Sequence, residues 1–338
     1  MPNETSAERR WFVSPYGRRA GDDAPRRITL HDCTIREGEQ QPGNSLDAER
    51  RLRLAHALDD LGVPQLEVGI PARGPEHVRL TTEIARAGLR AKVTAVCRAE
   101  MAQVKPTVEC GVWGVLCSVP ADPLQLAHKT KIDEGVTIER AIEATRYVHD
   151  AGMYVILSAA YATRADLAFL ARLLREVTAH GWADRVRVVD SAGCAGPEAI
   201  AFLVETFRRV ADRPVEVHCH DDFGLGTANA LAAVQAGADV VSCSVSGIGP
   251  RAGNAALEEV ALALALLYGH TTDVDLAKLV PTVRAVEDAF GVRQTPYKAV
   301  SGANLLVPSE IASVGMDADP LVSQAFLPSV VGHPEPPA

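Results

Sequence analysis

Between Val186 and Gly247 the chain reads VRVVDSAGCAGPEAIAFLVETFRRVADRPVEVHCHDDFGLGTANALAAVQAGADVVSCSVSG. Three short runs, Val186–Ser191, Val215–His220 and Val240–Gly247, are rich in β-branched residues and predict strands. The segment Pro197–Val210 between the first two has apolar residues at helical spacing. Strands alternating with helices imply βαβ units and a parallel sheet. Towards the N-terminus the same rhythm recurs. Strands are predicted over Ile28–Cys33, Gln65–Ile70, Lys92–Cys97, Val112–Ser118 and Tyr154–Tyr161, and amphipathic helices over Asp47–Leu61, Thr137–Ala151 and Ala165–His180. Eight such units predict an α/β fold closed into a (β/α)₈ barrel over residues 28–270. A doubly wound sheet is disfavoured because no GxGxxG follows the first strand.

The flanks break this rhythm. Residues 1–27, rich in Arg, Asp, Gly and Pro, read as an extension that is partly disordered or draped over the barrel. Residues 271–338 read as a C-terminal extension or small subdomain, with one or two helices over Asp273–Phe290 and an irregular tail from Pro296. A barrel needs roughly 250 residues, so a chain of 338 accommodates it. The net charge of −9 speaks against nucleic-acid binding. The polar N-terminus has no apolar core of a secretory signal, and no membrane span is expected. The seven cysteines include no CxxC pair and sit mostly in strand-like runs, which points to free thiols in a reducing cytoplasm.

Chemistry in such a barrel belongs at the C-terminal ends of its strands. The first strand exits through His31-Asp32-Cys33-Thr34-Ile35-Arg36-Glu37-Gly38-Glu39-Gln40, which is unusually polar. The seventh exits through Val217-His218-Cys219-His220-Asp221-Asp222. Residues two apart on a strand share a face, so His218 and His220 point together. Two imidazoles and a carboxylate with open positions make a common catalytic metal set. Glu37 is the candidate carboxylate, since strands one and seven both flank strand eight. An HxH pair alone reads equally as two hydrogen-bonded histidines; the polar first-strand exit tips the reading to a divalent metal, Mg²⁺, Mn²⁺ or Zn²⁺. Asp221 and Asp222 read as helix caps as well as site residues. The loop Gly247-Ile248-Gly249-Pro250-Arg251-Ala252-Gly253-Asn254 lets backbone approach a ligand. Within it Asn254 is either a helix cap or a further metal ligand. Arg36 suits a bidentate clamp on a substrate carboxylate, with an ion pair to Glu37 or Glu39 as the plainer reading. Gln40, Glu67, Ser118 and Ser191 stand where strands deliver side chains to substrate. His128-Lys129-Thr130-Lys131 is a basic patch fit for a phosphate or distal carboxylate, or a solvated surface.

Three segments, HDCTIREGEQQPG, VHCHDDFGLGTANALAAVQAGAD and SGIGPRAGNAALEEV, resemble the metal-dependent TIM-barrel superfamily of isopropylmalate synthase, homocitrate synthase, citramalate synthase and 3-hydroxy-3-methylglutaryl-CoA lyase. The resemblance runs from about Ile28 to Leu267. Together with LEVGIP and SVPADPLQLAHK it is most similar to the nitrogenase-associated type of homocitrate synthase. It implies metal ligands at Glu37, His218 and His220, a keto-acid-binding Arg36, and a homodimer. It also implies a Claisen-type condensation of an acyl-CoA co-substrate with an α-keto acid, followed by thioester hydrolysis.

Two departures stand out. Where such synthases carry an acidic residue after the fifth strand, this chain has Ser158-Ala159-Ala160-Tyr161-Ala162-Thr163-Arg164. Where they carry a histidine-containing tail motif, it has Val307-Pro308-Ser309-Glu310-Ile311-Ala312-Ser313. Tyr161, Glu310 or Asp222 would then have to supply the missing proton transfer. The alternatives to a synthase are a C–C lyase or aldolase and a non-catalytic paralogue that keeps the metal; retention of the whole metal and Arg36 set argues against the last.

Overall fold

A computed structural model describes residues 9–16, 24–307, 314–315 and 319–333. Eight strands alternate with helices along the chain. They are β1 (Thr29–Asp32), α1 (Thr34–Gly38), α2 (Ala48–Leu61), β2 (Gln65–Glu67), α3 (Pro75–Ala85), β3 (Lys92–Arg98), α4 (Met101–Glu109), β4 (Gly114–Pro120), α5 (Glu134–Asp150), β5 (Tyr154–Ala160), α6 (Leu167–His180), β6 (Arg185–Asp190), α7 (Pro197–Ala211), β7 (Val215–Cys219), α8 (Gly226–Gln235), β8 (Val240–Cys243), α9 (Leu257–Leu266) and α10 (Leu279–Phe290). Every neighbouring pair is parallel, and β8 pairs back onto β1 from Thr29↔Val240 to Asp32↔Cys243, closing the barrel. The predicted (β/α)₈ architecture is therefore present.

The helices form where an apolar stripe meets a polar start. Asp47, Asp133 and Asp166 accept the backbone N–H of Arg50, Val136 and Phe169 and so cap α2, α5 and α6. On α6, Phe169, Leu170, Leu173, Leu174 and Val177 are buried along one face. Each such side chain contributes about 2 kcal/mol by leaving water. These stripes pack on the outer faces of the strands, where Val215, Val217 and Cys219 of β7 lie.

The eighth strand stops at Cys243, short of the predicted Gly247. Ser246 adopts φ 61° and Gly247 φ 67°, left-handed geometry that cannot continue a ladder. The C-terminal region is tied to the barrel: α10 packs against α2, and the Phe290 ring lies so close to Gly38 that a β-carbon there would meet it. Near the chain ends, Trp11 and Phe326 form an antiparallel bridge, which joins the N-terminal segment to the tail. Among the described residues no helix is long and apolar enough to cross a membrane.

Candidate metal centre and barrel mouth

Glu37 sits on α1, the single turn that follows β1, while His218 and His220 lie at the exit of β7. All three are buried, and their ligand atoms fall within 4.8 Å of one another. His218 Nδ1 lies 3.1 Å from Ser242 Oγ, a contact that leaves Nε2 facing Glu37. An outer hydrogen bond of this kind fixes ring orientation in metal sites. Burial, with Arg36 and Arg187 close by, pushes His218 down to about 3. Burial and the neighbouring His218 take His220 to about 2. Both rings are thus neutral near pH 7, the state in which imidazole can bind a metal.

Three buried acceptor-type atoms here have no hydrogen-bond partner: Glu37 Oε2, His220 Nδ1 and Asn254 Oδ1. Unpaired buried polar atoms are costly, and a cation bound between Glu37 and the two histidines would give Glu37 and His220 the partners they lack. Asn254 does not cap a helix, because α9 begins later, at Leu257. Its Nδ2 instead donates to Ile248 O (3.0 Å) and Ser244 Oγ (3.3 Å), turning Oδ1 the other way. The loop that carries it needs glycine at 253, where φ is 96° and a β-carbon would fall 2.1 Å from Gly247 O.

Glu37, His218 and His220 open into a cavity of about 240 Å³ that is also lined by Arg36, Gln40, Ser118, Tyr161, Ser191 and Arg251. Tyr161 holds a left-handed backbone (φ 60°) and gives its N–H to Ser191 Oγ. Arg164 covers its ring at 4.9 Å. Asp222 is taken up by an ion pair with Arg251 at 2.7 Å, which keeps its carboxyl below the usual range, so it is poorly placed as a base. Asp221 accepts the first backbone N–H of α8, the structural role open to it from sequence. Glu67 is buried beneath Arg36 and pairs with it, so it orients the guanidinium instead of lining the cavity. Glu310 lies outside the described residues.

An HMGL-like family model matches residues 27–286. The chain belongs to the HMGL-like family. Among its relatives is "Homocitrate synthase AksA" of Methanopyrus kandleri, 41% identical over 86% of this chain and 74% of that protein. The protein of the same name from Methanothermobacter thermautotrophicus is 35% identical over 96% of this chain and 83% of that one. A hydroxymethylglutaryl-CoA lyase from Pseudomonas aeruginosa superposes with a TM-score of 0.70 at 22% identity, covering 80% of this chain and 95% of that one, a likeness of fold.

This HMGL-like barrel also has a feature that the sequence reading missed. Barrel interiors are usually filled by branched aliphatic side chains. Here the layer below the cavity is charged: His31, Glu67, Arg185, Arg187 and Glu216 are all fully buried. Glu216 meets Arg187 at 2.5 Å, Arg185 at 2.8 Å and His31 Nδ1 at 2.9 Å. Arg187 reaches on to Glu67 at 2.8 Å, and Glu67 holds Arg36, which pairs with Glu37. Burial alone would raise the Glu216 carboxyl, but Arg185 and Arg187 overcome this and hold it well below the usual range. The same contest, won by Arg36 and Arg187, leaves Glu67 at about 2. Alternating charges thus run from the barrel axis up to Glu37.

Proposed function

We infer that this protein is an acyl-CoA:2-oxo acid acyltransferase that condenses acetyl-CoA with a 2-oxo acid. Relatives named as homocitrate, isopropylmalate and citramalate synthases, at 35–41% identity, support the reaction class. The observation that carries the reading is that Arg36 lines one cavity together with Glu37, His218 and His220, where Glu37 Oε2 and His220 Nδ1 are left without partners.

Glu37, His218 and His220, with Asn254 Oδ1 beside them, would hold one divalent cation, Mg²⁺, Mn²⁺ or Zn²⁺. Bound there, it would supply Lewis acidity to the keto oxygen. Arg36 presents a guanidinium to the substrate carboxylate and is kept in place from below by Glu67. The condensation removes a proton from the acetyl methyl group, joins that carbon to the keto carbon and delivers a proton to the new alkoxide. The thioester is then hydrolysed with release of the CoA thiol. Tyr161, at the lip of the cavity, is the residue we assign to proton transfer in place of the carboxylate absent from the fifth-strand exit. The cysteines are all free, and six of the seven are buried, which supports a reducing compartment; a cytoplasmic homodimer is the expected form.

A matrix of 2-oxo acids against acetyl-CoA, read by thiol release and product mass, tests the assignment with Glu37→Ala as the inactive control. Metal-dependent thiol release with one keto acid is expected. Absence of release, with cleavage of a hydroxyacyl-CoA instead, would move the protein to the lyase reaction.

A further inference from the structure

The charged layer under the metal cavity spans the barrel from wall to wall. Arg187 belongs to β6 and Glu67 to β2. In a closed ring of eight strands taken in order, these two strands lie on opposite walls. Their side chains nevertheless meet at 2.8 Å, so the ion pair crosses the barrel axis. Of His31, Glu67, Arg185, Arg187 and Glu216, Arg187 alone lines the cavity. It is anchored on its own side of the barrel by Glu216 of β7 at 2.5 Å and by His31 Nδ1 of β1 at 3.0 Å. His31 Nε2 in turn lies 2.8 Å from Thr94 Oγ1 on β3. Glu67 divides its two oxygens between two arginines: Oε2 faces Arg187, and Oε1 takes Arg36.

Stability does not account for this arrangement. Branched aliphatic side chains fill most barrel interiors, and apolar residues in place of a buried ion pair are often neutral or stabilising. What a strut of fixed charges adds is position. A Glu67 held by Arg36 alone could swing together with it. Fixed from the opposite wall, Glu67 leaves the Arg36 guanidinium one orientation, and bidentate recognition of a carboxylate depends on that orientation.

We propose that Arg187 is a positioning residue for Arg36, acting across the barrel axis through Glu67. Affinity for the carboxylate of the 2-oxo acid is then set from β6, on the wall opposite the strand that carries Glu67. This rests on the clamp role that the proposed function gives Arg36, and it adds the residue that fixes the clamp.

Two double variants of the full-length protein, each removing one charge of either sign, separate positioning from packing. Arg187→Met/Glu216→Gln removes the strut. Arg185→Met/Glu216→Gln removes the same two charges and leaves Arg187 on Glu67. Circular dichroism and urea midpoints check the folding of both. The first readout is the Arg36 Nε–H resonance of chelator-treated, ¹⁵N-arginine-labelled protein, assigned by its loss in Arg36→Lys. Its exchange with water is expected to quicken about tenfold in Arg187→Met/Glu216→Gln, as the carboxylate partner loosens, and to stay close to wild type in the other variant. The second readout is pyruvate, a 2-oxo acid with little beyond its reacting end, titrated into Mn²⁺-loaded protein. Its Kd is expected to rise about tenfold in Arg187→Met/Glu216→Gln alone, the scale seen when outer support of a site is lost. In turnover the same variant raises KM for the oxo acid more than it lowers kcat. Arg187→Lys, which keeps the charge but not the planar guanidinium, is expected to fall between, and it carries the comparison if the double variant does not fold. Equal changes in both double variants would make the layer a structural support only and overturn the inference. An Arg36 resonance that neither variant moves would overturn it as well. If wild type fails to bind pyruvate, the proposed function loses support, and the exchange of Arg36 Nε–H still decides whether Arg187 holds it.

Discussion

His218 Nε2 stands 3.4 Å from Glu37 Oε1, although the strands that deliver them, β7 and β1, are separated by β8. The closure of the barrel makes this contact. β8 pairs with β1 on one side and β7 on the other, and Ser242 of β8 reaches across to His218. The strand between the two ligand-bearing strands thus also orients one of the ligands.

Ser242→Ala removes that orienting contact without touching a ligand. Metal affinity is expected to fall about 10- to 100-fold with little change in thermal stability. Mn²⁺ titration followed by electron paramagnetic resonance measures the first, and calorimetry the second. An unchanged affinity would mean that packing alone holds the ring.

Glu216→Gln leaves Arg185 and Arg187 buried beside a neutral amide. Removing one member of a buried ion pair typically costs about 3–5 kcal/mol, so a large drop in the urea midpoint is expected. If the midpoint hardly moves, the charged layer is less strongly coupled than the distances imply.

Glu258 is fully buried on α9, and burial raises its carboxyl from 4.5 to about 7. The folded chain keeps this proton where the unfolded chain has released it. The contribution of Glu258 to wild-type stability should therefore decline as pH rises from near 4.5 to about 7 and level off above, a loss on the order of 3 kcal/mol that is isolated by comparison with a variant lacking this titration. Glu258→Gln keeps an acceptor for the Ser246 N–H and lacks the titration. Its stability relative to wild type should grow across that window, and denaturation at pH 5, 6, 7 and 8 follows it.

The outer face of this fold was legible because it obeys simple periodicity. All eight predicted strands are present, and α6 and α7 begin within two residues of their predicted starts or at them. Glu37, His218 and His220 were legible because a two-residue strand period and a polar strand exit leave few other places for them. The charged layer was not read, although its signal was present. In RVRVVD Val186 and Val188 must face the helices, so Arg185 and Arg187 must face the barrel axis, and Glu216 lies two residues before His218 on the same face. An Arg–Val alternation normally signals solvent on one side, and only closure turns that side into an interior. Glu67 was misplaced for the same reason: from sequence it is a strand-end carboxylate, and only the packing shows Arg36 lying over it. The left-handed turn at Ser246 that shortens the eighth strand depends on tertiary contacts, including the Glu258 carboxylate, which no local pattern reveals.

The most direct test is an anomalous difference map from Mn²⁺-soaked crystals. One peak is expected within coordination distance of a Glu37 carboxylate oxygen, His218 Nε2 and a His220 ring nitrogen, with Asn254 Oδ1 alongside. A peak elsewhere, or none while these side chains keep their positions, would contradict the account.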